Sequence, residues 1–127
     1  NSQIQYIGEM NKKRNQNFIK LAKVIYKKND KYFPIRYDHI DFVSNFAFPL
    51  VCRSKKIREG LIKKCQGRVE IRPIVGSDMT RQPFFKKYGG ESYNLPNASL
   101  IHNQGLYFGN NPELTTGEIK KLISIFS

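Results

Sequence analysis

The sequence predicts an α+β domain: a small three- to four-stranded sheet backed by helices, with a long N-terminal linking helix leading into it. Three observations predict this. Apolar residues recur at helical spacing from Ile4 to Tyr26. Short β-rich runs at 45–52, 69–75 and 106–108 alternate with helix and turn signals rather than following one another directly. Thr115 and Glu118 open a last amphipathic helix with a capping-box spacing. A chain of 127 residues, 39% hydrophobic, has enough apolar surface for one core, so one domain is expected.

Taken in order, Ile4, Ile7, Phe18, Leu21, Ala22, Ile25 and Tyr26 make one stripe with Lys and Asn on the opposite face, which predicts a helix over residues 2–29. The stripe thins from Asn11 to Asn17, so the first half of this helix has little to bury within the chain and is expected to pack on something outside it. Asn29-Asp30 and then Pro34 are expected to end it, because proline lacks an amide donor and biases its predecessor toward extended backbone. The apolar run from Asn45 to Cys52 reads as a buried strand, and Pro49 within it puts that strand at a sheet border or a bulge. Ser54 is the N-cap of a second helix. Ile57, Leu61, Ile62 and Cys65 form its inner side, Lys55, Lys56, Lys63 and Lys64 point outward, and Gly67 is a left-handed stop. Val69 to Val75 alternates until Pro73 and gives a second strand. Pro96 begins a short helix through Ile101 and His102 that Gly105 closes, and Leu106-Tyr107-Phe108 gives a third strand before the turn at 109–112. The final helix buries Ile119, Leu122, Ile123 and Phe126.

The net charge of +12 has to be weighed by position. Residues 1–36 carry nine Lys/Arg against two acids and residues 53–72 carry eight against two, whereas residues 73–127 carry five against four. The excess therefore lies on the predicted helices and their flanks. A basic nucleic-acid or polyanion-binding module is the alternative reading this charge supports, but no motif that reads DNA or RNA accompanies it. Solvated lysine faces explain it more simply. No apolar run approaches the ~18 residues of a membrane helix and no signal-peptide pattern is present, so neither a membrane partner nor export is expected and the location is cytoplasmic. Cys52 and Cys65 lack metal-ligand spacing and sit among apolar neighbours, which reads as two reduced core thiols.

The segment from Glu70 to Pro112 is poor in helical periodicity and rich in Gly, Pro, Asn and aromatic residues, the composition of loops that present binding groups on a rigid frame. The sequence has no phosphate-binding Gly-rich loop, nucleophile elbow or metal cluster, and its histidines, His39 and His102, have no triad spacing, which disfavours a self-contained hydrolase. What the segment offers is anion and hydroxyl binders: Arg72 at a strand end, then Asp78, Thr80, Arg81 and Gln82, then His102, Asn103, Asn110 and Asn111. Arginine presents a planar fork to carboxylate or phosphate, and Asn/Gln amides suit sugar hydroxyls. Pro83-Phe84-Phe85 adds an apolar anchor. Arg72 either holds a ligand phosphate or pairs with Glu70 or Asp78. Arg81 and Gln82 are read first as binding residues. His102, near a helix end where the dipole favours its cation, is read as structural before proton transfer, and Asn110 as a turn residue before a site contact.

On these residues the chain resembles the C-terminal small domain of the DegT/DnrJ/EryC1/StrS family of pyridoxal-phosphate-dependent sugar aminotransferases. The resemblance is carried by Glu70-x-Arg72-Pro73, the loop from Gly76 through Ser77-Asp78-Met79-Thr80-Arg81-Gln82 to Pro83, Leu95-Pro96-Asn97-Ala98 with Ile101-His102, and Gly105-Leu106-Tyr107-Phe108-Gly109-Asn110 with Pro112. The Thr-Arg-Gln-Pro loop and the Gly-Asn-x-Pro turn are most similar to the branch of nucleotide-4-keto-6-deoxyhexose 3-dehydratases, and Arg14-x-x-Asn17 fits the family's linking helix. The resemblance implies a linking helix over 1–30 and a small domain over 31–127, covering about the last third of a family enzyme. It implies a nucleotide-sugar substrate met by Arg72, Asp78, Arg81, Gln82, His102 and Asn110. It implies that pyridoxal phosphate is bound by a large domain outside this chain, which carries the family's lysine, or the histidine replacing it in the dehydratases. It further implies that the intact enzyme is a homodimer and that this chain alone, with no catalytic residue, is inactive. Asn111 stands where the dehydratase branch often has histidine, and an amide there cannot shuttle a proton.

Overall fold

Among the described residues, three strands, β1 (Ala47–Val51), β2 (Ile71–Pro73) and β3 (Gly105–Gly109), form one antiparallel sheet with β3 in the middle. The structure, a computed structural model, describes residues 4–76, 78–89 and 93–127. Successive strand residues point to opposite faces. The register pairs Phe48 with Phe108 and Leu50 with Leu106, so four large apolar side chains lie together on one face, all buried. The opposite face carries Pro49, Tyr107 and Arg72, aligned across the three strands. Pro49, which has no amide to donate, is on an edge strand as expected. The Tyr26 hydroxyl donates to its carbonyl at 2.9 Å, and Phe33 N–H donates to Val51 O at 2.8 Å, so the outer border of β1 is covered by the same chain.

Among the described residues, five helices surround the sheet: α1 (Ile7–Ile25, preceded by a 3-10 turn at Ile4–Tyr6), α2 (Lys55–Cys65), α3 (Pro83–Tyr88), α4 (Pro96–Gln104) and α5 (Thr116–Phe126). Phe18, Leu21, Ala22 and Ile25 of α1, Leu61 and Cys65 of α2, and Ile119, Leu122, Ile125 and Phe126 of α5 close over the apolar face. Stacked rings run through this core. Tyr26 lies 4.8 Å from Phe48, Phe48 lies 5.0 Å from Phe108, and Phe108 lies 4.5 Å from Phe126, with interplanar angles of 26°, 21° and 21°. Each fully buried phenylalanine contributes about 1.5–3 kcal/mol by burial alone, so this column is the main tie between sheet and helices.

The capping box of α5 forms as expected, with Glu118 N–H donating to Thr115 Oγ1 at 3.2 Å and Thr115 N–H to Glu118 Oε2 at 2.8 Å. Ser54 caps α2, and Gly67 takes the left-handed φ of 68°. Several expectations need correction. α1 ends at Ile25, not near Asn29, because turns at 25–32 carry Tyr32 into the core, where its hydroxyl donates to Phe126 O at 2.7 Å. Its expected start at residue 2 lies outside the described residues. Ile62 is exposed rather than on the inner side of α2, and Ile125 joins the α5 stripe while Ile123 is only partly buried. Lys64 does not simply point to solvent: its amine caps the last turn of α5 through Ile125 O at 2.6 Å. The strand expected over 69–75 is confined to Ile71–Pro73, since Pro73 ends its ladder. Gly105 closes α4 as expected, though with extended rather than left-handed backbone. It has φ −79° and begins β3, and glycine is needed there because a Cβ would stand 2.4 Å from Ile101 O and 2.8 Å from Ile74 Cδ1.

The thin half of the α1 stripe is held by hydrogen bonds. Asn15 Oδ1 accepts from Val43 N–H at 2.9 Å, the Ser44 hydroxyl donates to Asn11 Oδ1 at 2.8 Å, and Asn17 Nδ2 donates to Asn111 O at 3.0 Å. Lys13 pairs with Glu113 at 3.0 Å. Of the apolar residues in this half of the helix, Ile4, Tyr6 and Ile7 at its start stay exposed. No helix among the described residues is long and apolar enough to cross a membrane. Both cysteines are free and buried, and burial pushes the Cys52 thiol up to about 11 and raises that of Cys65.

Candidate functional site

The segment between β2 and α4, read from sequence as an irregular loop, contains a 3-10 turn (Met79–Arg81) followed by α3, which starts at Pro83. Proline is favoured at that first helical position because its missing N–H has no partner there in any case. The turn folds Asp78 inward until the residue is 2% exposed. Its Oδ1 accepts from Thr80 Oγ1 at 2.6 Å, and its Oδ2 accepts from Ser99 Oγ of α4 at 3.0 Å. Arg81 Nε lies 2.9 Å from the same Oδ2, and Arg81 Nη2 donates to Ser99 Oγ at 3.0 Å. These donors favour the ionised carboxylate, Thr80 first and then Ser99 and Arg81, and hold Asp78 below the usual carboxylate range. Arg81 keeps 45% of its side chain exposed while Asp78 keeps 3%. The carboxylate is thus a buried anchor, and the guanidinium is an aimed, half-exposed cation.

The other candidate residues are not gathered at this point. Arg72 stands on the outer sheet face, exposed, with Nη2 2.5 Å and Nε 2.9 Å from Glu70 Oε1, and the Glu70 hydrogen bond raises its already high pKa. Of the two structural partners weighed for Arg72, Glu70 is the one it takes, and Asp78 goes to Arg81. Arg72 and Tyr107 also line a cleft of about 450 Å³ with Phe46, Glu70, Lys121 and Leu114. Phe46, 68% exposed, meets the Tyr107 ring edge-on at 6.1 Å. Cations beside exposed rings suit a planar or anionic ligand.

Gln82 is half-buried at the start of α3, and its carbonyl accepts from Phe85 N–H at 3.0 Å. His102 lies one turn beyond Ser99 on α4 and lines a smaller cleft shared with α2. Asn110 is 1% exposed beneath α1. Its Nδ2 donates to Arg14 O and to Asn45 O, both at 3.0 Å, and its backbone N–H donates to Phe46 O at 2.7 Å. Sequence reasoning missed Ser99, which bridges Asp78 and Arg81 from 21 and 18 residues away. A serine inside a helix gives no signal of such a role. Ser77 of the same loop lies outside the described residues.

The described residues do not meet the needs of pyridoxal phosphate. Of their lysines the larger cleft takes only Lys121, on the exposed side of α5, and the buried carboxylate of Asp78 has both oxygens occupied. An enclosed amine facing a free carboxylate, the donor set for that cofactor, is not assembled by them. No group of three or more His, Cys, Asp or Glu among the described residues could hold a metal ion.

Comparison with known proteins adds the following. A family model described as the DegT/DnrJ/EryC1/StrS aminotransferase family matches residues 1–127. No curated protein matches the chain in sequence. Among solved structures, the chain is similar to a GDP-4-keto-6-deoxymannose-3-dehydratase with a trapped PLP-glutamate geminal diamine, at TM-score 0.80 and 22% identity over 99% of this chain and 33% of that one. It is similar to the E. coli GDP-4-keto-6-deoxy-D-mannose-3-dehydratase with bound hydrated PLP, at TM-score 0.80 and 21% identity over 99% and 33%. An aminotransferase from Psychrobacter cryohalolentis matches at TM-score 0.78 and 20% identity over 98% and 35%. At these identities the likeness speaks for the fold, and the chain spans about a third of the length of those structures.

Proposed function

We propose, since this chain belongs to the DegT/DnrJ/EryC1/StrS aminotransferase family, that it is the C-terminal small domain of a pyridoxal-phosphate-dependent enzyme acting on a nucleotide-linked keto sugar. The reaction is transfer of an amino group to that sugar or removal of its 3-hydroxyl, within deoxy- and amino-sugar supply for surface polysaccharide. The observation that carries this reading is coverage: 99% of the chain superposes on one third of a 3-dehydratase. A larger partner domain supplies the remainder, including the cofactor, which when bound acts as the electron sink for bond breaking next to the keto carbon. Residues 1–30 link the two domains and residues 31–127 form the small one.

In this reading the chain binds and orients. Arg81 meets an anionic or hydroxyl group of the nucleotide sugar, and Asp78 acts through Arg81 by fixing its direction. Gln82 and Arg72 offer further polar contacts, while Asn110 and His102 shape the frame behind them. A cation already aimed before the substrate arrives loses little side-chain entropy on binding. The test is the full-length gene product, loaded with pyridoxal phosphate and given glutamate and GDP-4-keto-6-deoxymannose, with products followed by NMR. Loss of the 3-hydroxyl or gain of a 4-amino group is expected, and the 127-residue chain alone is expected to give neither. Full-length protein that holds the cofactor but turns over no nucleotide-linked keto sugar, whatever the nucleotide, overturns the reading.

A further inference from the structure

A carboxylate that pairs with arginine ordinarily takes the side-on edge of the guanidinium, Nε and Nη2, with both of its oxygens. Asp78 does not. Its Oδ1 is engaged by Thr80 Oγ1 at 2.6 Å, and Oδ2 alone meets Arg81, at Nε, 2.9 Å away. Arg81 Nη2 donates instead to Ser99 Oγ, at 3.0 Å, and the Ser99 hydroxyl donates to Asp78 Oδ2 at 3.0 Å. Neither direction is optional, because a guanidinium has no acceptor to offer and an ionised carboxylate has no donor. The three side chains therefore close a ring of hydrogen bonds in which a serine of α4 does the work of the second carboxylate oxygen. The side-on edge of Arg81 is thereby occupied. Among the described residues the end-on edge, Nη1 with the second hydrogen of Nη2, meets no acceptor, and 45% of this side chain is exposed. Two parallel N–H groups match two oxygens on one atom, as in a phosphate, whereas a sugar hydroxyl uses only one of them.

We propose that Ser99 is a positioning residue, whose hydroxyl holds Arg81 at Nη2 so that the end-on edge of the guanidinium faces outward as a fork for a phosphate of the nucleotide. On the nucleotide-sugar reading, from which this follows, Arg81 meets a phosphate rather than a hydroxyl. Ser99 itself touches no ligand. Held at Nε alone, the guanidinium swings about a single hydrogen bond; held at two atoms, its plane and direction are set before the ligand arrives, which lowers the entropy lost on binding.

The full-length gene product, loaded with pyridoxal phosphate, is titrated by calorimetry with GDP and with guanosine as the phosphate-free control. Ser99→Ala is expected to weaken GDP binding about 5-fold and to leave guanosine unaffected. Alanine is the best helix former, so the change does not endanger α4. Ser99→Thr keeps the hydroxyl and is expected to bring GDP affinity back to within about 2-fold of wild type. Added to Arg81→Ala, Ser99→Ala is expected to cost nothing further, whereas a role in packing alone weakens binding equally in both backgrounds. In turnover of GDP-4-keto-6-deoxymannose, Ser99→Ala is expected to raise KM about 5-fold with kcat little changed. A wild type that does not bind GDP, equal GDP affinity in wild type and Ser99→Ala, or a loss that adds in full to that of Arg81→Ala overturns the proposal. Equal losses for GDP and guanosine overturn it too, by assigning the fork to the base. Ser99-dependent GDP binding by a protein that turns over no nucleotide-linked keto sugar upholds it and overturns the enzyme reading alone.

Discussion

Arg81 Nε lies 2.9 Å from Asp78 Oδ2, and the two partners differ in setting, the carboxylate being buried and the guanidinium nearly half exposed. A buried acid beneath an exposed base orients the base. The pair therefore separates two effects that mutagenesis can tell apart. In the intact enzyme, Arg81→Ala removes the charge and the fork together, and a rise in KM for the nucleotide sugar on the order of 10- to 100-fold is expected. Asp78→Asn keeps the arginine but loosens its aim, so a smaller KM rise is expected, with kcat less affected. Steady-state kinetics of both variants checks this, and equal KM values in wild type and Arg81→Ala would remove Arg81 from the site.

The same carboxylate has a consequence in acid. Asp78 has its folded pKa depressed, so the stability it contributes is present above the unfolded carboxylate value and is lost as pH falls through the folded one. Urea midpoints measured from neutral pH downward are expected to fall in wild type and to fall less steeply in Asp78→Asn.

In alkali the thiols act in the opposite sense. Burial raises Cys52 from 9.0 to about 11, so the neutral thiol is favoured in the folded chain. Its contribution is complete below the unfolded value and is lost as pH climbs through the folded one. Stability is thus expected to decline between pH 9.0 and about 11, and less so in Cys52→Ala. Thiol-reactive dye at pH 8 is expected to label both cysteines only on unfolding.

Two glycines of β3 make opposite predictions. A Cβ on Gly105 would meet backbone oxygen at 2.4 Å, whereas a Cβ on Gly109 meets nothing within 4 Å. Gly105→Ala is expected to cost about 1–3 kcal/mol, and Gly109→Ala to lie within about 0.5 kcal/mol of wild type, by denaturant unfolding.

Asn110 fastens α1 to the loop before β1 through the carbonyls of Arg14 and Asn45. Asn110→Ala leaves two carbonyls without that donor and is expected to cost about 1–3 kcal/mol. Hydrogen exchange should quicken first in the helix around residues 11–17. Uniform acceleration across the sheet instead would show that Asn110 supports the core as a whole.

Much of the architecture is legible in the residues themselves because its signals are local. A capping box needs only Thr115 and Glu118, a left-handed stop only Gly67, and the edge position of β1 only the missing amide of Pro49. The family motifs were likewise legible, since they are contiguous strings. What the sequence alone settled is therefore the α+β class and the order of the longer elements, from local spacing, and the family resemblance, from contiguous motifs, whereas α3 reads there as loop. Tertiary structure alone decided which of the candidate polar groups meet. Ser99 reaches Asp78 across 21 residues, Asn110 reaches Arg14 across 96, and Tyr32 ends α1 early by reaching Phe126 across 94. Such pairings depend on how a buried polar group finds a partner once the apolar face has closed, and linear spacing carries no record of that choice.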